Sequence, residues 1–78
     1  MQEAYLLITC DLDKKNNVLK NLNNITELSK IEQIYGPYDI IVKISSDTLQ
    51  IVKEIVNQKI KTIDDIQHTL LLPIKISD

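Results

Sequence analysis

In this 78-residue chain, three of the four segments that read as strands are apolar on both sides, whereas those that read as helices are apolar on only one. Ala4 to Cys10 is rich in β-formers and reads as a first strand; Asp39 to Ser45, with Ile40, Ile41, Val42 and Ile44, is nearly continuous in its apolar character. A last strand is predicted from about Ile66 to Ile76, with Leu70, Leu71 and Leu72 at its centre. Pro73 lies inside it and, having no N–H for a ladder, places it at a sheet edge. Between these runs the period changes. Val18, Leu19, Leu22 and Ile25 recur at three- and four-residue steps in a helix beginning at Lys14 and capped by Asp13. Leu49, Val52, Ile55, Val56, Ile60 and Ile63 do the same in a second helix, with Asp47 and Gln50 as an approximate capping box. A weaker strand, Lys30 to Tyr35, alternates imperfectly and calls for a bulge or an exposed edge.

The order is therefore β-α-β-β-α-β. This is the α+β, ferredoxin-like plan of one four-stranded antiparallel sheet with two helices on one face, in a single domain spanning residues 1–78. Two helices cover only one face of a sheet, so strands apolar on both faces require a second cover. A homodimer formed sheet to sheet, with further assembly beyond it, satisfies that requirement.

Composition narrows the function. A domain of this length buries only about 60% of its unfolded surface, and a single cysteine supplies no internal disulfide, so association is the remaining route to added stability. One His and one Cys do not make a structural zinc site. The net charge is −2, and all nine basic residues are lysines scattered along the chain. That pattern, without Phe or Trp to stack on bases, argues against direct nucleic-acid binding. No signal peptide or membrane-length apolar stretch is visible, so a cytoplasmic protein is expected, and Cys10 fits a reducing compartment.

The densest group of candidate functional residues is Tyr35-Gly36-Pro37-Tyr38-Asp39. It holds the sole glycine, two of the three tyrosines, and a proline beside a carboxylate. Glycine tolerates a positive φ or a close approach, while Pro37 fixes its own φ and biases Gly36 towards an extended shape. The plain reading is a stiff turn between strands, with Asp39 satisfying backbone amides and the tyrosines packing. The functional reading is that the turn offers N–H groups, phenols and a carboxylate to a small ligand. Cys10 reads as a buried small hydrophobe, Asp11 and Asp13 as turn and cap, and His68 near Asp64 and Asp65 as too sparse a ligand set for a metal. No catalytic residue, metal or cofactor is assigned.

The run Ala4-Tyr5-Leu6-Leu7-Ile8, the Tyr35 to Asp39 turn followed by Ile40-Ile41-Val42-Lys43, the Lys59 to Asp64 helix end, and Thr69 together resemble the effector-binding and oligomerisation (RAM) domain of the Lrp/AsnC transcription regulators. The resemblance covers about Ala4 to Ile76 and suggests the stand-alone form, without the family's helix-turn-helix. It implies sheet-paired dimers assembled further into octamer- or decamer-like rings, or into open helices of dimers. It also implies an amino acid or related effector bound between dimers, and DNA-binding regulators as partners. The ligand-binding residues it points to are Tyr35, Gly36, Pro37, Tyr38 and Asp39, with Thr69 standing where the family has a hydroxyl-rich strand start. Two departures are visible: Asp65 stands where the family often has glycine, and His68, Leu70 and Leu71 replace a Ser/Thr run. They make any pocket less hydroxylated and more apolar. Two other classes remain open, a small cofactor-free ferredoxin-like dimeric enzyme and a purely structural oligomerisation partner; against the enzyme stands the inventory of one His, one Cys and no Arg.

Overall fold

A computed structural model describes residues 2–74. The expected element order is observed: β1 (Gln2–Cys10), a 3-10 turn (Leu12–Lys14), α1 (Lys15–Asn23), β2 (Leu28–Gln33), β3 (Ile40–Ser46), α2 (Leu49–Ile55) running into a π-helical turn (Val56–Ile60), and β4 (Ile66–Ile74). The strands form one antiparallel sheet in the order β2-β3-β1-β4. β4 is thus an edge strand, as Pro73 requires, and β2 is the other edge. The part of the last strand expected beyond Ile74 lies outside the described residues.

Alternation along β1 separates two sets of side chains. Ala4, Leu6, Ile8 and Cys10 are buried on the helix side, joined there by Ile40, Val42 and Ile44 of β3. Val18 and Leu22 of α1, Val52 and Ile55 of α2, and Val56 and Ile60 of the π-turn cover them, and together these residues are the core. Registers carry the alternation across the sheet. Leu6 lies opposite Val42 and Leu71, and Ile8 opposite Ile40 and Thr69, so Thr69 and Leu71 also face the helices. The other face carries Tyr5, Leu7, Ile41, Leu70 and Leu72, and among the described residues no layer covers it; Leu70 and Leu72 remain 42% and 43% exposed. Double-sided apolar character in the sequence therefore corresponds to one covered face and one open one.

Local signals were read less well than the plan. Asp13 does not cap α1: the chain leaves β1 through a 3-10 turn closed by Lys14 N–H to Asp11 O at 3.0 Å, and α1 starts behind it without a side-chain cap. α2 is capped by Thr48, not Asp47; its Oγ1 accepts from Ile51 N–H at 3.2 Å. β2 runs two residues earlier than its alternation suggested, and its irregularity falls between Leu28 and Lys30. The second helix loses its α register after Ile55, where Lys61 N–H reaches Val56 O at 2.8 Å across five residues.

At the rim of the open face, Lys43 Nζ lies 3.1 Å from Glu3 Oε2, which also accepts from Ser45 Oγ at 3.2 Å. The hydrogen bond from Lys43, reinforced by its charge and by Ser45, holds the Glu3 carboxyl below the usual range despite some opposing desolvation. The same bond raises the Lys43 pKa.

Two outcomes follow from this packing. Leu6→Ala removes a fully buried side chain from the middle of β1 and is expected to cost about 2–5 kcal/mol in urea unfolding. A depressed carboxylate contributes stability above its unfolded pKa and loses it as pH falls through the folded value; the raised lysine loses its share as pH climbs through its own. The stability gap between wild type and Lys43→Met is therefore expected to be widest near neutrality and to close at acid and at strongly alkaline pH. A gap that stays constant across that range would refute the pairing.

Candidate functional site

Residues 34–39 carry the chain from β2 to β3, and Asp39 fastens them to the central strand. Its carbonyl accepts from Ile34 N–H at 2.9 Å, its own N–H donates to Ile8 O at 2.9 Å, and its Oδ2 accepts from Cys10 N–H at 2.9 Å. The carboxylate thus takes up a strand-end donor where the β1–β3 ladder stops after the Ile8–Ile40 pair. Oδ1 has no protein partner among the described residues. Gly36 has φ +122°, a region that residues with a Cβ rarely adopt, and a Cβ built there meets nothing within 4 Å. Glycine is needed for backbone shape, not for close approach within the chain. Tyr35 projects fully into solvent at 101% relative exposure, whereas Tyr38 and Asp39 are half-buried. This is a braced turn with an outward tip.

Thr69 is not part of that turn in a single chain. It pairs with Ile8 on the side of β1 away from Ile40, so two interstrand spacings, about 10 Å, separate the flanking backbones. Its side chain lines an open cavity of about 240 Å³ with Leu6, Lys53, Val56, Asn57, Lys61 and Leu71. It also borders a shallower hollow with Lys61, Ile66, Gln67 and His68. Neither is lined by any residue of the turn.

The remaining polar residues are occupied or dispersed. Asp65 Oδ2 accepts from Asn17 Nδ2 at 2.7 Å, and Asp11 Oδ1 accepts from Gln67 Nε2 at 2.5 Å, tying α1 and β1 to the start of β4. Asp64 and Asp65 line a different hollow from His68. Among the described residues no three His, Cys, Asp or Glu side chains converge on a metal position. Burial pushes the Cys10 thiol up, with the Asp39 carboxylate adding to the shift, so the thiolate a nucleophile requires is disfavoured.

With this geometry in place, the comparison with known families is decisive. The family described as the Lrp/AsnC ligand binding domain matches residues 3–72. The chain belongs to that family. Its class is therefore that of a regulatory ligand-binding domain. Among solved structures, FFRP-DM1 matches with a TM-score of 0.90 and 29% identity over 96% of this chain and 100% of that one. AsnC of E. coli matches at 0.91 and 22% identity over 97% of this chain but only 52% of its own, so the Lrp/AsnC domain here corresponds to about half of that regulator. The Neisseria meningitidis transcriptional regulator NMB0573, solved with L-Met, superposes at 0.86 with 9% identity over 96% of this chain and 50% of its own; at that identity the likeness is one of fold. No curated protein sequence matches the chain. Among the described residues no helix is long and apolar enough to cross a membrane.

In the sequence, Lys53, Asn57 and Lys61 lie on the polar side of the second helix, opposite the apolar stripe. Their four-residue spacing was visible there, but the π-turn and the neighbouring β4 edge that make a cavity of them were not.

The brace on the turn is testable. Asp39→Ala leaves Cys10 N–H without its acceptor and is expected to cost about 1–3 kcal/mol in urea unfolding, while Asp39→Asn, which keeps an oxygen in place, costs less. Equal losses for the two variants would mean the carboxylate geometry is not what secures this loop.

Proposed function

We propose that this domain is a non-enzymatic, cytoplasmic sensor that binds an amino acid or a closely related molecule and converts binding into a change of assembly. The observation that carries the reading is the Lrp/AsnC ligand binding domain match over residues 3–72. The L-Met in the Neisseria regulator supports an amino acid as the effector. A sheet-to-sheet homodimer covers Tyr5, Leu7, Ile41, Leu70 and Leu72, which face solvent in the single chain, with the Glu3–Lys43 pair at the rim.

The effector site is built around Tyr35, Gly36, Pro37, Tyr38 and Asp39. The turn's outward tip supplies backbone N–H groups for a carboxylate and tyrosine surface for an apolar side chain. Asp39 Oδ1, which has no partner among the described residues, supplies an acceptor for an ammonium group. Since one strand separates Thr69 from the turn within a chain, Thr69 joins this site from a neighbouring copy, and the ligand thereby couples two subunits. Further assembly of dimers, of octamer or decamer kind, and co-assembly with DNA-binding relatives would pass the effector signal to transcription.

Native mass spectrometry with and without a panel of amino acids tests the proposal directly. The expected result is a set of even-numbered assemblies gaining the mass of one amino acid per site, with Asp39→Asn binding about tenfold or more weakly through loss of a charged contact. An assembly that takes up none of the panel would overturn the sensor reading.

A further inference from the structure

The cavity on the helix side of the sheet has features that the turn does not share. Its floor is apolar: Leu6 is fully buried, Val56 nearly so, and Leu71 packs against the core. Lys53, Asn57, Lys61 and Thr69 complete its lining, and no acidic side chain lines it. Of the other described lysines, Lys30 pairs with Glu32, Lys43 with Glu3, and Lys59 with Glu27 at 2.6 Å, while Lys14, Lys15 and Lys20 are in no ion pair. Among the described residues neither Lys53 nor Lys61 has an acidic partner within ion-pair distance. Four-residue spacing sets Lys53, Asn57 and Lys61 along one side of the second helix, and the π-turn adjusts their alignment. Its five-residue step stacks residue 61 beneath residue 56, while residue 53 lies one ordinary α-helical turn above 56 and 57. π-turns interrupt the regular ladder and occur frequently at functional sites.

We infer that this cavity is a second ligand site, separate from the turn, which takes a short branched aliphatic carboxylate lacking an amino group, such as a 2-oxo acid. The two ammonium groups attract and hold one carboxylate. Asn57 Nδ2 is a donor for a 2-oxo oxygen, and Leu6, Val56 and Leu71 receive the alkyl tail. At about 240 Å³ the space falls below the roughly 300–1,000 Å³ of sites for drug-sized ligands and suits a small metabolite. The absence of a lining carboxylate sets the selectivity. An amino acid of the same shape would bring its ammonium group towards two lysines with no counter-charge to meet it. The domain would then distinguish an amino acid at the turn from its deaminated counterpart at the helix face.

Leucine and 4-methyl-2-oxopentanoate, which share an alkyl chain and a carboxylate, discriminate the two sites when titrated into the assembled wild-type protein with methyl and amide NMR detection. The oxo acid is expected to shift the Leu6, Val56 and Leu71 methyl signals, with leucine at least about tenfold weaker there. Lys53→Met and Lys61→Met should each weaken the oxo acid about tenfold, the worth of one charged contact. Asp39→Asn should leave it unchanged. Both lysines lie at exposed positions, so these variants test the site without opening the core. Cavity methyls that stay still at millimolar oxo acid, leucine binding there equally well, or lysine variants that bind as wild type would each overturn the inference. Leucine shifts confined to the turn amides report on the amino-acid reading separately, so either proposal can fail without the other.

Discussion

β1 is the strand on which the rest of the molecule depends. It pairs with β3 on one side and β4 on the other, and its inward side chains Ala4, Leu6, Ile8 and Cys10 form the floor on which both helices rest. Its Ile8–Cys10 end also anchors the β2–β3 turn through Asp39. A domain of this size has little apolar surface to spare, and concentrating it along one central strand lets short helices suffice as cover. The same arrangement leaves the opposite side of β1 and its neighbours facing water. The open sheet face is a consequence of a two-layer fold whose central strands are apolar on both sides.

Periodicity carried the architecture because it survives small errors of boundary. The doubled apolar strands and the two amphipathic stripes pointed to a single sheet with one helical layer, and Pro73 pointed to the edge position of β4. Capping was less legible because several polar residues lie within reach of each helix start. Asp13 and Asp47 were chemically reasonable caps, yet a 3-10 turn occupies the first junction and Thr48 the second. At the second junction the cap is of the expected kind and one position along; at the first, no side chain caps the helix.

The candidate site divides in the same way. Tyr35 to Asp39 announce themselves as a stiff turn, and the positive φ of Gly36 realises one of the two uses that a lone glycine suggests. The Ile34–Asp39 bond closes the turn around Gly36 and Pro37. That Asp39 would reach Cys10, far away in the chain, depends on strand register, which no local pattern encodes. The grouping of Lys53, Asn57 and Lys61 with Leu6 and Leu71 required both that register and a π-turn for which the sequence carries no recognisable signal.

The bracing of the turn bears on the thermodynamics of whatever meets it. Three backbone-anchoring bonds converge on Asp39, the proline ring fixes one dihedral angle, and the glycine occupies its unusual basin. Little conformational entropy remains to be lost when the tip is engaged, so an encounter there resembles docking against a rigid knuckle more than the ordering of a loop. Association at such a surface should show a small ordering penalty, and its specificity should derive from the fit of the partner and not from adaptation of the turn.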